Sequence, residues 1–582
     1  MQTDTNYSRP DNTPGQNLPR PPVMPWERFL IALLVVGQLG LLVVLAAETG
    51  ITVDEPSHLL SAHLYWEGRD TLQPGHMPPL INLTAGWVPR LVGLRLPEAT
   101  DPVWRTNHEW NISQRMIDGM SRAELQRIFF WSRLPLTLFP LLSTLLLWWW
   151  GRQLFSPAGG LFSAALFALS PMVLGHGALF KNDLASAFGY LAFWYSAWRY
   201  WERPDAGGAA RWGVALVLAV LAKISMLILI PMAFVLLAIR ELTWRPLRPA
   251  LSLSRILLVG VVLYGGIVLA WQADLTPIPA AELDSWQTSP AIPSWISQIV
   301  KTASWIPLPP RFWHGAVEMV RSNGEHGAVY LMGQIFPEGH PLYFVTALAL
   351  KVPVAMQLAI GLGLCVYAFR VARRRAGARD LFWAVPGLFY ISLASLSNLQ
   401  LGIRLIAPAW PFLLLWAGPL ATVRGRWRIA GILLPAALVA WSGWRTAVHY
   451  PHYISHFNLW AGGPQNGLRY LSDSNIDWGQ DLRFLAEYVT RNDIRKIRLA
   501  YFGMDDPYNY LTDERLETLP APWSDDLAKG ERFVPERGYY AVSANLLTGQ
   551  YFAPKYRNYF AGFRESEPVG RAGYSILIYR IP

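Results

Sequence analysis

The chain has 582 residues, of which 52% are hydrophobic, 13% aromatic and only 15% charged, with a net charge of +10. A soluble chain of this length splits into several domains and carries about a quarter charged residues. Here the apolar residues collect into runs of about twenty, the length a helix needs to cross a hydrocarbon core of about 30 Å. A soluble multidomain protein is excluded, and a polytopic α-helical membrane protein is expected.

Residues 1–26 are polar and Pro-rich and read as a disordered tail. The first apolar run, Phe29 to Ala47, is longer than a signal-peptide core and lacks a cleavage site close behind it, so it reads as a retained span. Further runs lie near 134–150, 158–176, 184–200, 212–222, 224–239, 256–272, 342–369, 381–397, 404–421 and 428–446. About eleven transmembrane helices follow, although the short pair at 212–239 also reads as one kinked span. Lys and Arg concentrate in alternate loops, which puts the N-terminus in the cytoplasm. The long segments 48–130 and 273–341, the turns near Lys181 and Asn398, and everything from about residue 447 then face outward. The basic balance follows from topology and anionic membrane lipid. Because the basic residues are divided among loops, nucleic acid is not an expected partner. The lone Cys365 rules out an intrachain disulfide.

Directly after the first span, ITVDEPSHLL presents the adjacent carboxylates Asp54 and Glu55. The stretches SHLLSAHLYWEG and PPLINLTAGWVPRLVGL have apolar residues at helical spacing and suit helices lying in the membrane interface. Carboxylates at a span end are often merely solvated, so other groups on the same side carry weight. The turn GHGALFKNDLASAFGYL supplies Lys181 and Asp183, the latter also readable as a helix N-cap. Lys351 lies ten residues past Pro341, about 15 Å into a span, where a lysine costs about 3 kcal/mol unless it is paired or faces a polar cavity. Lys223 and Arg404 add cations near the outer side. Carboxylates and cations around an outward cavity suit a substrate with a phosphate and a lipid tail, the cations holding phosphate and a carboxylate acting as base.

From about residue 447 the character changes. KIRLAYFG, GYYAVSANLL and YSILIYRIP read as strands and GQDLRFLAEYVTRN as a helix, which predicts a small C-terminal α/β extracytoplasmic domain. DSNIDWGQD sets Asp473, Asn475 and Asp477 at calcium-loop spacing, but its glycine falls one place late and Phe484 stands where the bidentate Glu belongs, so a polar turn capping the next helix is favoured. His449, His452 and His456 mimic a zinc face that Pro451 interrupts. No metal site is assigned; no cofactor is certain, and a divalent metal stays open. The Pro- and Trp-rich loop 273–341 reads either as a lid over the cavity or as plain cover.

In order along the chain, VDEPSHL, HMPPL, HPLYFVTALALKVPV, LGIRLIAPAWPFL, HFNLWAGGPQNGLRYLSDSNIDWGQDL and LAYFG resemble the phospholipid carrier-dependent glycosyltransferases of family 39. These are bacterial relatives of the protein O-mannosyltransferases and aminoarabinose transferases, with the GT-C membrane fold. The resemblance spans about 28 to at least 510. It implies a GT-C-like domain over 27–446, an outer domain over 447–582, and a place in the bacterial inner membrane. The implied reaction is inverting transfer of a sugar from a polyprenyl-phosphate donor to a protein, lipid or glycan acceptor outside the membrane. Asp54 maps onto the general base, with Glu55 its neighbour, and Asp183 onto a second acidic position. Arg404 matches a Gly-x-Arg element expected to bind carrier phosphate. HMPPL replaces the family's His-Pro-Pro-Leu, which puts the role of His76 in doubt. A polyprenyl-linked lipid flippase or transporter and a noncatalytic membrane assembly protein are the alternatives, the former weakened by the absence of a clear internal repeat.

Overall fold

A computed structural model describes residues 22–68, 77–106, 108–243, 252–324, 327–373, 377–423, 425–522 and 530–582. His76 and most of the N-terminal tail lie outside the described residues.

The chain opens on the helix Pro25–Glu48, with proline in the first turn, where its missing N–H costs nothing. Glu27 caps this helix and is fully buried, because Arg152 reaches it at 2.7 Å from the helix Leu138–Leu154. That second helix turns back into Pro157–Ala168 so closely that a Cβ at Gly160 would stand 2.4 Å from the Trp148 carbonyl oxygen. A second hairpin pairs Asp183–Glu202 with Ala206–Ala222, and Leu253–Ala270 packs along the latter.

Among the described residues, six helical stretches are long and apolar enough to cross a membrane: Pro25–Glu48, Arg122–Leu154, Leu253–Ala270, Val354–Ala372, Ile403–Thr422 and Gly425–Val448. Pro157–Ala168 and Pro171–Gly177, bent by 56°, make a seventh if taken as one span. The eleven expected from the apolar runs are not reached by this measure, which leaves out the shorter apolar helices Ala206–Ala222, Ile224–Ile239 and Leu381–Ser395. Lys223, in an extended conformation (φ −159°, ψ 121°), divides the run at 212–239 into two helical pieces. Pro353 divides the run at 342–369 into Tyr343–Lys351 and Val354–Ala372. The second piece alone has the length of a span. Lys351 therefore ends a short helix that precedes the break at Pro353.

The helix Glu55–Glu67 forms where expected, but every residue from Glu55 to Tyr65 is buried. It lies inside the protein instead of in a lipid interface, and its polar positions find partners there: Ser57 meets Ser113 at 3.2 Å, and Asn82 donates to Ser61 at 3.2 Å.

Past residue 447 a five-stranded sheet runs in the spatial order Leu516–Thr518, Ile497–Ala500, Gly538–Ser543, Ile576–Ile581, Gly570–Ala572. The first two pairings are parallel and the last two antiparallel. The helix Leu482–Arg491 buries Leu482, Leu485 and Val489 against Ile497, Leu499 and Ile578 on one face. From the other face Tyr540, Val542 and Tyr579 join the main core.

Candidate active site

The link between the sheet and the membrane helices is the segment 472–481, and the site is built on it. Val53 donates to the Trp478 carbonyl at 2.9 Å and Gly50 to the Gln480 carbonyl at 3.2 Å, so the loop after the first helix is pinned to this segment. On its other side, Ile403 donates to Asn475 Oδ1 at 3.1 Å, and Ser474 donates to the Leu401 carbonyl. Gly402 between them has φ +129°, and a Cβ there would stand 2.3 Å from Ser474 Oγ. The glycine of the GIR element is thus required both by its backbone conformation and by the closeness of Ser474.

Four charged groups converge. Lys181 Nζ lies 2.8 Å from Asp54 Oδ2, and Arg404 Nη2 lies 3.3 Å from the same oxygen. Arg404 Nη1 reaches Asp183 Oδ2 at 3.7 Å, and its Nε donates to Ser474 Oγ at 2.9 Å. Lys181 also donates to His58 Nε2 at 2.7 Å. The indole of Trp478 lies under both cations, 4.2 Å from the Arg404 guanidinium and 5.5 Å from Lys181 Nζ. Such stacking favours cations that have lost water.

Asp54 keeps a side-chain exposure of 21% while Lys181, Asp183 and Arg404 fall below 8%. Both cations use Oδ2, and no described residue bonds Oδ1. Burial opposes ionisation of Asp54, yet Lys181, Arg404 and the hydrogen bond from Lys181 outweigh it and hold the carboxyl well below the usual carboxylate range. The group is a carboxylate with one oxygen committed and one accessible.

Glu55 is in a different situation. It is fully buried and makes a bidentate pair with Arg133, at 2.8 Å and 2.6 Å. It also accepts from Phe180 N at 2.7 Å and from Thr52 N at 3.0 Å. Arg133 spends its remaining donors on the carbonyls of Ala46, Thr49 and Gly50. This knot fixes the end of the first helix and the strand of chain before Lys181.

Asp183 is the first residue of its helix, with Asn182 in the cap position. Its carboxylate faces Arg404 and is not used as a cap. Lys223 is half-buried, and the charges of Asp183, Arg404 and Lys181 act on it. Among the described residues no hydrogen bond or ion pair engages its amine. Lys351 does not touch Asp54 or Arg404; it donates to the carbonyls of Ile454 (2.9 Å) and Asn475. The sequence therefore located Asp54, Lys181, Asp183 and Arg404, which the fold brings together, and Lys351, which supports the 472–481 segment from outside. Sequence reasoning missed Arg133, His58, Ser474 and Trp478. Arg133 was signalled only by its position within an apolar stretch, and Trp478 by an aromatic inside a run of small polar residues.

Among the described residues there is no group of three or more His, Cys, Asp or Glu placed to hold a metal. Asp473 is engaged by Tyr551, and Asp477 accepts from Gly479 N and Asn545 N, each at 3.2 Å. The segment read as a polar turn before a helix is thus an internal scaffold.

No curated protein sequence matches the chain. Among solved structures it is similar to ArnT from Cupriavidus metallidurans in the apo state, with 13% identity and a TM-score of 0.45 over 95% of this chain and 97% of that one. It is also similar to the Archaeoglobus fulgidus oligosaccharyltransferase in the apo form, with 12% identity and a TM-score of 0.46 over 90% and 70%. ArnT bound to undecaprenyl phosphate gives 12% identity and a TM-score of 0.43 over 94% and 97%. These likenesses are too distant to transfer the role of any residue. Residues 128–271, which contain Lys181, Asp183 and Lys223, match the dolichyl-phosphate-mannose-protein mannosyltransferase family over about a quarter of the chain.

Proposed function

We propose that this protein is a glycosyltransferase that moves a sugar from a polyprenyl-phosphate carrier to an acceptor, with inversion, at the extracytoplasmic face of the membrane. The observation that carries the reading is the carboxylate of Asp54, bound to Lys181 and Arg404 through one oxygen and open at the other. An acceptor hydroxyl or amine placed at Oδ1 gives up its proton there as it attacks the anomeric carbon, and the carrier phosphate departs from the opposite side. One carboxylate is enough, because a phosphate leaving group needs no strong acid. A glycoside hydrolase would need two carboxyl groups at a set separation.

The carrier phosphate is held by Arg404 and Lys181, and by Lys223, whose amine no described residue engages. As phosphate engages Arg404 and Lys181, their hold on Asp54 weakens and its basicity rises, so the base is activated when donor is bound. Asp183 keeps Arg404 oriented. Glu55 positions the loop that carries Asp54. Lys351 holds the 472–481 scaffold. On this reading residues 27–446 are the transferase body in the bacterial inner membrane and 447–582 an outer domain that completes the site. The acceptor is a protein, lipid or glycan.

The test is incubation of purified protein with a radiolabelled polyprenyl-phosphate sugar and extracted acceptors. Asp54→Asn is expected to lower transfer by about 10²–10⁴, the usual worth of a general base, and to leave the protein in the membrane. Wild-type transfer by this variant overturns the assignment of the base. Movement of labelled carrier across vesicles without cleavage would make the protein a transporter.

A further inference from the structure

The loop between Leu253–Ala270 and the short helix Tyr343–Lys351 contains the helix Ser294–Ala303. This helix buries Ser297 and Val300 on one side. Positions 295, 299 and 302 form the opposite stripe at helical spacing. There Trp295 is 65% exposed and Ile299 56%, and Trp305, just beyond the helix, is 79% exposed. Two tryptophans and an isoleucine turned away from the protein on one short segment call for an apolar or interfacial partner.

A separate observation gives the depth of this segment. Tyr264 lies inside the span Leu253–Ala270, and its hydroxyl donates to the Pro307 carbonyl at 3.0 Å. Tyr264 is six residues before Ala270, about 9 Å along the helix axis. The Ala270 end is on the Asp54 side, because Tyr65 of the helix that begins beside Asp54 donates to the Ala270 carbonyl at 2.9 Å. The turn carrying Trp305 and Pro307 thus dips below the end of the span, to the depth at which tryptophan collects in bilayers.

We propose that Ser294–Ala303 and the turn to Pro307 form an interfacial membrane anchor, with Trp295, Ile299 and Trp305 inserted in the lipid of the leaflet on the Asp54 side. The occupant of the exposed stripe is the boundary between lipid headgroups and acyl chains, which accepts an indole ring and an isoleucine together. The anchor holds the loop against the bilayer beside the span, independently of the chemistry at Asp54.

The test uses spin labels in a Cys365→Ser background, which removes the one native thiol. Ile299→Cys and Trp305→Cys, both at exposed positions, are labelled and the protein is reconstituted in vesicles of phosphatidylethanolamine and phosphatidylglycerol. Asp284→Cys, at a carboxylate whose side chain is 68% exposed, is the aqueous reference. Labels at 299 and 305 are expected to relax with oxygen dissolved in lipid and to be shielded from a water-soluble nickel chelate, with the label at 284 showing the reverse. Nickel access at 299 and 305 equal to that at 284 overturns the proposal. Shielding from both reagents also overturns it, since a protein partner would then cover the stripe. Neither result depends on whether Asp54 is a base.

Discussion

Arg404 Nη2 donates to Asp54 Oδ2 at 3.3 Å across 350 residues of sequence, and the same guanidinium reaches Asp183 and Ser474. Three partners in three directions need the planar fork of arginine; a lysine ammonium is a single point on a flexible stem. Arg404→Lys therefore keeps the charge and loses the geometry. Losing one charge-assisted hydrogen bond costs about 1.5–3 kcal/mol, so kcat/KM for transfer is expected to fall about 10- to 100-fold. Steady-state transfer kinetics check this, and a lysine variant at wild-type kcat/KM would show that charge alone suffices.

Lys223 allows a cleaner separation of binding from folding. Its amine stands in the field of Asp183, Arg404 and Lys181 with no described partner, so the free protein gains little from it. Lys223→Met is expected to raise KM for the lipid-linked donor about tenfold with kcat nearly unchanged, since the lost contact acts on donor phosphate. The thermal midpoint of the variant should equal or exceed that of the wild type. A lowered midpoint with an unchanged KM would assign Lys223 to structure.

Glu55 is expected to behave oppositely. Its side chain and that of Arg133 are 0% and 2% exposed and 2.6 Å apart, so breaking the pair leaves a buried cation without its counter-charge. Such losses cost about 3–5 kcal/mol. Glu55→Gln should lower the thermal midpoint of the purified protein by several degrees, while the fraction that remains folded transfers sugar within a few-fold of wild type. A variant with an unaltered midpoint and no activity would move Glu55 into the chemistry.

The neighbours Asp54 and Glu55 show how much of the site could be read in the sequence. Their position after an apolar run located the site, and GIRLIAP and FKNDLAS supplied the cations and the second acid. Nothing local told the two carboxylates apart, because the difference lies in Arg133, 78 residues away. The 472–481 segment was illegible for a related reason. Asn475, Ser474 and Trp478 read as a polar turn, and only their tertiary partners, Ile403, Arg404 and the loop at Val53, make them a scaffold. Apolar run length merges helices for a local reason instead, since Pro353 breaks the run at 342–369 that hydropathy alone joins.

The scaffold also sets a pH dependence of opposite sign to that of Asp54. Burial pushes Asp477 up to about 8 and Asp473 up to about 6. Unfolded aspartates titrate near 3.9, so between about pH 4 and 8 the folded protein binds protons that the unfolded chain has released. The stability contributed by these groups is full below about pH 4 and is lost as pH rises, through about 6 for Asp473 and about 8 for Asp477. Asp54, held below its unfolded value, contributes above about pH 4 and loses that contribution only in stronger acid. From these two aspartates the thermal midpoint therefore receives a contribution that declines from pH 5 to pH 8.5. Asp477→Asn, which cannot ionise, should show a shallower decline over that range whatever its absolute midpoint. Equal slopes for wild type and variant would mean that Asp477 titrates in the folded protein as it does in the unfolded one, and that the segment beneath Trp478 is open to water.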